Sequence, residues 1–291
     1  MARSHDEAMT PVVEVRDLSA RSAVGPVLRG VSLTVAAGEV MALVGESGAG
    51  KSTIAKAVLG ILPPGIEITG GEIRFEGDNL LNLPPQRRRA LLGTRIALIP
   101  QDPLTSLNPA RRIGDQLTDG LRLRAGLSRA AARRRALELL DGVHIRDPEA
   151  VLRQYPHELS GGMRQRVLIV QAFSLNPQVI IADEPTTALD VTVQKQVLRL
   201  IRQLQRDHGT TLLFVTHDLG VVAQISDRMT VLYGGKVLEQ GLSADVLHRP
   251  SHPYTQALLA ANPRYDRPDQ EIRPVPESLI AQLRREISGT C

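Results

Sequence analysis

Apolar and polar positions follow two rhythms along this chain, and the change between them divides it. Residues 12–44 read as short strands separated by turns. Val12-Val13-Glu14-Val15 and Val27-Leu28 come first, and then Val31, Leu33 and Val35 alternate with polar neighbours, the period-two pattern of a half-buried strand. Ala36-Ala37-Gly38-Glu39 supplies a turn before the continuous apolar run Val40-Met41-Ala42-Leu43-Val44. These segments predict a small antiparallel sheet leading into a buried strand. A helical pattern follows over Thr53 to Leu62 and is broken by Pro63-Pro64-Gly65. Gly71 to Phe75 returns to strand, Leu83 to Leu92 to helix, and Ile96 to Ile99 to a buried strand running into polar Gln101.

Over residues 102–177 the strand pattern vanishes. Helical stretches succeed one another at Ile113 to Arg124, Ser128 to Leu140, Pro148 to Gln154 and Met163 to Phe173, with Leu137, Leu139 and Leu140 on one apolar face. This predicts an all-helical insertion in an α/β domain. Strands then return. Val179 to Ala182 is apolar throughout, as in a central parallel strand. Val191 to Asp207 is helical, with Val197, Leu200, Ile201 and Leu204 on one side, and Leu212 to Val215 is a second buried strand. Arg228 to Leu232 and Lys236 to Glu239 flank Gly234-Gly235, a two-residue hairpin. From Ser243 onward short helical pieces alternate with prolines, ending in a charged tail, Pro276 to Cys291.

Composition narrows the class. The chain has 291 residues, 42% of them hydrophobic but only 2% aromatic, so aliphatic side chains must fill the core. The formal net charge is +4 and is carried by arginine, since Lys51, Lys56, Lys195 and Lys236 are the only lysines. That mild excess is ordinary for a soluble protein, and no nucleic-acid partner is expected from it. The runs Arg87-Arg88-Arg89 and Arg133-Arg134-Arg135 read as solvated faces. Cys291 is the single cysteine, which excludes a disulfide framework and a multi-cysteine metal site within one chain. No run of 18 apolar residues occurs, and Met1 to Thr10 lacks the apolar core of a signal peptide, so a cytoplasmic location is expected.

Candidate chemistry begins at Gly45-Glu46-Ser47-Gly48-Ala49-Gly50-Lys51-Ser52, followed by Thr53. This matches G-x-x-x-x-G-K-[ST], the Walker A phosphate loop, in the strand–loop–helix context that it requires. Glycines let backbone N–H groups close around phosphate oxygens, and the helix N-terminus points its positive end at the same anion. Lys51 is expected to reach the β- and γ-phosphates of ATP, and the Ser52 hydroxyl to ligate Mg²⁺. Some 130 residues later, an apolar strand ends in Asp183-Glu184, a Walker B pattern. Asp183 is expected to hold the same Mg²⁺ and Glu184 to serve as general base toward the attacking water.

Leu159-Ser160-Gly161-Gly162-Met163-Arg164-Gln165 identifies the family. Ser160 is a good helix N-cap, but two glycines early in a helix cost about 1 kcal/mol each relative to alanine, which a close approach to an anion would explain. Here the chain resembles the ATP-binding-cassette (ABC) ATPases, whose signature is LSGGQ, with Met163 at the glutamine position. The resemblance implies an α/β P-loop NTPase (RecA-like) core with an N-terminal antiparallel β-subdomain, an inserted all-helical subdomain and a short C-terminal extension. It divides the chain into a cassette over residues 8–245, with the helical subdomain at about 102–177, and an extension over 246–291. It makes Gln101 the Q-loop glutamine that senses Mg²⁺ and the attacking water. Ala188-Leu189-Asp190 becomes the D-loop, and His217 the switch histidine at the γ-phosphate. Two such cassettes sandwich two ATPs, each ATP meeting the phosphate loop of one and Ser160, Gly161 and Gly162 of the other. The aromatic that usually stacks on adenine is missing from Leu18 to Ser22, which leaves Arg21 as a candidate through cation–π contact.

Gln101 to Pro109 and the tail His252-Pro253-Tyr254-Thr255-Gln256-Ala257-Leu258-Leu259 resemble the ATPase subunits of dipeptide, oligopeptide and nickel importers. The implied partners are two integral membrane permease subunits, a second ABC ATPase subunit, identical or related, and, indirectly, an extracytoplasmic substrate-binding protein. The implied setting is the cytoplasmic face of the membrane. The rival expectation is a soluble ABC ATPase in a non-transport complex, such as one that cleaves carbon–phosphorus bonds. A P-loop kinase or GTPase fits neither the signature nor the absence of a guanine-reading N-K-x-D element.

Overall fold

The computed structural model describes residues 11–187, 189–262 and 274–289. Residues 8–10 of the expected cassette, Ala188 of the D-loop and Cys291 lie outside the described residues. The chain begins with strands β1 (Pro11–Ser22), β2 (Gly25–Ala36) and β3 (Val40–Val44), helix α1 (Lys51–Leu59), and strands β4 (Ile66–Phe75) and β5 (Asp78–Asn79). Helix α2 (Pro85–Leu91), strand β6 (Ile96–Ile99) and helices α3 (Pro103–Ser106), α4 (Ile113–Leu123), α5 (Arg129–Gly142), α6 (Pro148–Arg153) and α7 (Gly161–Phe173) follow. Then come β7 (Val179–Asp183), α8 (Val191–His208), β8 (Thr211–Thr216), α9 (Leu219–Ile225), β9 (Arg228–Tyr233), β10 (Lys236–Leu242), α10 (Ser243–His248), α11 (Pro253–Ala260) and α12 (Glu277–Ser288).

The described parts of 1–83 and 217–291 form one compact unit, and 84–216 form a second. In the first unit, an antiparallel sheet takes the order β2-β1-β4-β5. The expected short strands at 12–15 and 27–35 are pieces of longer ones, and the reason is local. The β1 register slips between Val15 and Leu18, where Asp17 adopts a left-handed φ of 47°. Opposite it, Gly71 has φ 86°, and a Cβ there would fall 2.5 Å from the Arg16 and Asp17 carbonyl oxygens. The paired irregularity interrupts the alternation that marks a strand, so β4 begins at Ile66 and not at the expected Gly71.

The same unit pairs β3 in parallel with β9, and β9 in antiparallel fashion with β10 through the expected Gly234-Gly235 turn. Both turn glycines have positive φ, 54° and 80°, as a two-residue hairpin demands. One face of this group joins a core of Ala42, Val44, Val222, Val231, Tyr254, Leu283 and their neighbours. The charged tail read from the sequence is thus a helix over its described part. α12 is amphipathic, with Leu283 and Ile287 buried one turn apart.

In the second unit, β6, β7 and β8 run parallel in that order, and β7 and β8 are buried along their whole length. Between β6 and β7 the described residues form helices and no strand, as expected of the helical insertion. α4 buries Ile113, Leu117 and Leu121 at a four-residue spacing, each contributing about 1.5–3 kcal/mol by removal from water. At Gly114 a Cβ would meet the Leu152 carbonyl oxygen at 2.7 Å, so α4 and α6 approach through their backbones. In α5 the buried positions are Ala132, Ala136, Leu139 and Leu140, while Leu137 is half-buried. In α8 Leu204 is likewise half-buried. The buried place beside it goes to Gln205, whose Nε2 donates to the Thr210 carbonyl at 2.9 Å and ties the helix end to β8.

Candidate functional site

The first unit carries the phosphate loop. β3 is fully buried and delivers the chain to Gly45, where φ is 153° and a Cβ would lie 2.2 Å from the Leu232 carbonyl oxygen. Gly50 caps α1 with φ 99°, and a Cβ there would lie 2.6 Å from Leu28 Cδ2. Gly235 N donates to the Ala49 carbonyl at 3.1 Å, so the β9–β10 hairpin holds the loop backbone from one side. Glu46, Ser47 and Gly48 form its exposed crest. Lys51 is only 5% exposed, and its Nζ donates to the carbonyls of Gly45 at 2.7 Å and Glu46 at 2.9 Å. Ser52 and Thr53 follow in the first turn of α1, which contains no acidic side chain to offset the positive helix end. The glycines leave room at two points where any side chain would collide, which is the geometry a phosphate cradle requires. His217 stands exposed immediately before Asp218. The Asp218 carboxylate caps α9 by accepting from Gly220 N at 2.7 Å and Val221 N at 3.3 Å.

Glu39, in the turn before β3, is 7% exposed. Burial pushes its carboxyl above the usual carboxylate range, and the nearby Asp227 adds to this. The Ala36 N–H at 2.7 Å and the Arg228 guanidinium at 3.5 Å pull the other way without cancelling it.

The second unit brings three expected residues together at the carboxyl ends of parallel strands, where ligands of such sheets gather. Asp183 ends β7 and is 8% exposed. Glu184 follows with φ 47°, a left-handed conformation uncommon outside glycine, and its N–H donates to the Val215 carbonyl at 3.0 Å. Its carboxylate Oε2 accepts from Gln101 Nε2 at 3.2 Å and from Thr187 Oγ1 at 3.0 Å. Thr187 was not among the expected site residues. Its spacing of three from Glu184 after a strand was the only trace of it in the sequence.

The signature segment forms the start of α7. Ser160 is the N-cap, accepting from Met163 N at 3.3 Å, as the residue type predicts. A Cβ at Gly161 would meet nothing within 4 Å, and one at Gly162 would meet only Val193 Cγ1 at 3.2 Å. Asp190 caps α8 by accepting from Thr192 N at 3.0 Å and Val193 N at 2.9 Å, so the signature and the D-loop aspartate are neighbours through Val193. Arg21, the candidate for the base, is exposed on β1.

A buried strand, a glycine loop clamped from below and a lysine at the head of a helix define a P-loop nucleotide-binding protein. Comparison with known proteins gives the family. Residues 28–187 match the family model described as ABC transporter, and residues 238–291 match the one described as Oligopeptide/dipeptide transporter, C-terminal region. The chain is 45% identical over 283 residues to the probable peptide ABC transporter ATP-binding protein y4tR of Sinorhizobium fredii, covering 96% of this chain and 84% of that one. It is 46% identical over 249 residues to the dipeptide transport ATP-binding protein DppD of Bacillus subtilis, covering 85% and 74%. A solved ATP-binding cassette, dimeric and bound to ADP and Pi after hydrolysis, superposes with a TM-score of 0.70 at 27% identity, over 79% of this chain and 98% of that one. The chain belongs to the ABC transporter family, and its fold is that of an ABC ATPase. No described helix is long and apolar enough to cross a membrane.

Proposed function

We propose that this chain is the ATP-hydrolysing motor subunit of a membrane importer for dipeptides or oligopeptides. The observation that carries the catalytic part is the Glu184 carboxylate, fixed from two sides by Gln101 and Thr187 on a strained backbone at a strand end. The backbone of Gly45 to Gly50 takes the phosphates, and Lys51 gives up its carbonyl partners for the β- and γ-phosphates. Ser52, Asp183 and Gln101 are the oxygen donors suited to Mg²⁺, which when bound neutralises phosphate charge. Glu184 accepts the proton of the attacking water and His217 meets the γ-phosphate. Ser160, Gly161, Gly162 and Asp190 serve the ATP of a second cassette, so each ATP is completed only in a dimer.

The relatives described above are named for peptides, which favours peptides over nickel as cargo. Residues 238–291 match a C-terminal region described for oligopeptide/dipeptide transporters, which favours transport over a soluble complex. The partners are then two integral membrane permease subunits and a second ATPase subunit, with the chain peripheral on the cytoplasmic face. Glu184→Gln tests the base. The variant binds ATP, dimerises stably and hydrolyses about 10²–10⁴-fold more slowly, and ordinary turnover would remove Glu184 from its role. Co-purification with two integral membrane proteins tests the partners, and their absence from a solubilised complex would point to a soluble assembly.

A further inference from the structure

The arginine runs that read as solvated faces are gathered around one helix end by the fold of the second unit. The stretches 84–101 and 120–137 contain arginines but neither Asp nor Glu, and no aromatic residue. Gly126 takes a left-handed φ of 68°, and Leu127 N donates back to the Leu121 carbonyl at 3.1 Å. The chain therefore reverses at the end of α4 and leaves Arg122, Leu123 and Arg124 exposed there. Arg124 Nη1 donates to the carbonyls of Arg89 at 3.1 Å and Leu92 at 2.9 Å, which fastens the end of α2 to the end of α4. Arg134 and Arg135 of α5 line an open cavity of about 380 Å³ together with Leu121 and Ala125 at the same helix end. Arginines of three helices thus meet in one place.

Little within the unit neutralises them. Glu138 accepts from Arg135 Nη1 at 3.3 Å, and Glu149 is paired with Arg133. The Arg124 guanidinium meets neutral carbonyls. Arg87, Arg122 and Arg134 are exposed and make no ion pair or side-chain hydrogen bond among the described residues. A face of this charge suits an anionic partner. Leu123 narrows the kind. It lies two positions beyond the buried Leu121, hence on the opposite side of α4, and is 82% exposed. A single exposed leucine is ordinary. One set between two arginines fits the boundary of a bilayer, where cations take headgroup phosphates and an apolar side chain reaches the acyl chains. A single-stranded nucleic acid would call for aromatic side chains to stack its bases, and neither stretch holds one.

We propose that the ends of α2 and α4 and the adjoining face of α5 form a contact surface for anionic phospholipid, with Arg87, Arg122, Arg124 and Arg134 on the headgroup phosphates and Leu123 at the acyl boundary. The contact goes beyond the motor role, because it needs neither ATP nor a permease. It gives the chain a hold on the membrane of its own.

The full chain, without permease, is sedimented with phosphatidylcholine vesicles that contain or lack phosphatidylglycerol. Partitioning onto the anionic vesicles should exceed that onto the neutral ones by about tenfold or more near ~50 mM salt, and should fall away toward ~0.5 M. Arg122→Gln combined with Arg134→Gln should lower the partition coefficient about 5-fold for each charge removed. Leu123→Ser should lower it about 3- to 10-fold and leave the salt dependence as it was. Arg199→Gln, exposed on α8 of the same unit, should change nothing. Melting temperature and ATP affinity should stay at wild-type values throughout, so that lost binding is not lost folding. Equal partitioning onto neutral vesicles, full partitioning of the double variant, or an equal loss in Arg199→Gln overturns the proposal. Displacement by free glycerol phosphate would make the face a small-anion site and overturn it too. So would tighter binding of a single-stranded RNA oligonucleotide that Leu123→Ser does not weaken, which would assign the face to nucleic acid.

Discussion

The chain has two glycine-rich turns before helices, and they are glycine-rich for opposite reasons. In the phosphate loop the demand comes from the chain itself. Gly45 and Gly50 have left-handed φ values, and any Cβ would collide with Leu232 or Leu28. In the signature the backbone at Gly161 and Gly162 is ordinary helix, and a Cβ at Gly161 would meet open space. At Gly162 a Cβ would crowd Val193, but nothing in this fold accounts for Gly161, which loosens the first turn of α7. The comparison teaches how to read a glycine. Where the local structure explains it, it belongs to folding, and where it does not, its reason lies with something that approaches from outside. For α7 that is, on our proposal, the phosphate of an ATP held by a second cassette.

The contrast can be broken by substitution. Gly45→Ala should have the largest effect, destabilising the chain on the order of 3 kcal/mol through collision and backbone strain and abolishing ATP binding. Thermal melting and nucleotide titration read both, and a stable, ATP-binding variant would show that the loop has slack. Gly161→Ala should do the reverse. The isolated chain should be unchanged or stabilised by up to about 1 kcal/mol and bind ATP normally, while turnover of the assembled enzyme falls. Full turnover in Gly161→Ala would sink the idea that this glycine makes room for a partner's nucleotide. The same reasoning makes wild-type turnover per chain rise with protein concentration until the cassettes are paired, and a flat dependence across the range where monomers prevail would count against a shared site.

The smallest effect sharpens the first half of the comparison by asking how far the self-sufficiency of the phosphate loop extends into the strand that feeds it. Glu39 precedes β3 with its carboxyl raised by burial. A folded-state pKa above the unfolded one means that the stabilising contribution is complete below the ordinary carboxylate range and is lost as pH rises through the folded value. Melting temperature should therefore fall slightly as pH rises above the ordinary carboxylate range, and Glu39→Gln should remove that fall. An unchanged slope in the variant would place its origin elsewhere.

Much of this was readable in the chain. A phosphate loop is a local pattern of eight residues, and the Walker B pair follows a run of apolar residues, so both could be found without a fold. β1 and β4 were harder, because the bulge at Asp17 and the glycine at Gly71 compensate each other across the sheet. Each breaks the local alternation, and only together do they make a continuous pair of strands. The α12 stripe of Leu279, Leu283 and Ile287 was present in the tail, but its charged neighbours masked it. Tyr254 stands in the tail pattern, but its buried seat against Tyr233 of β9 was not legible there, because only the packed structure joins the two elements. Gln101 and Glu184 posed the same difficulty, and the family pattern resolved it for them.

The Lys51 side chain, turned inward onto the Gly45 and Glu46 carbonyls, has a practical consequence in a chain so poor in lysine. With four lysine amines in all, and Lys195 exposed on α8, acylation by an amine-reactive reagent followed by mass spectrometry resolves every lysine. Lys195 serves as the internal clock for reagent strength. The slow labelling of Lys51 then counts how often its ammonium leaves those two carbonyls, an opening rate read without nucleotide, partner or membrane.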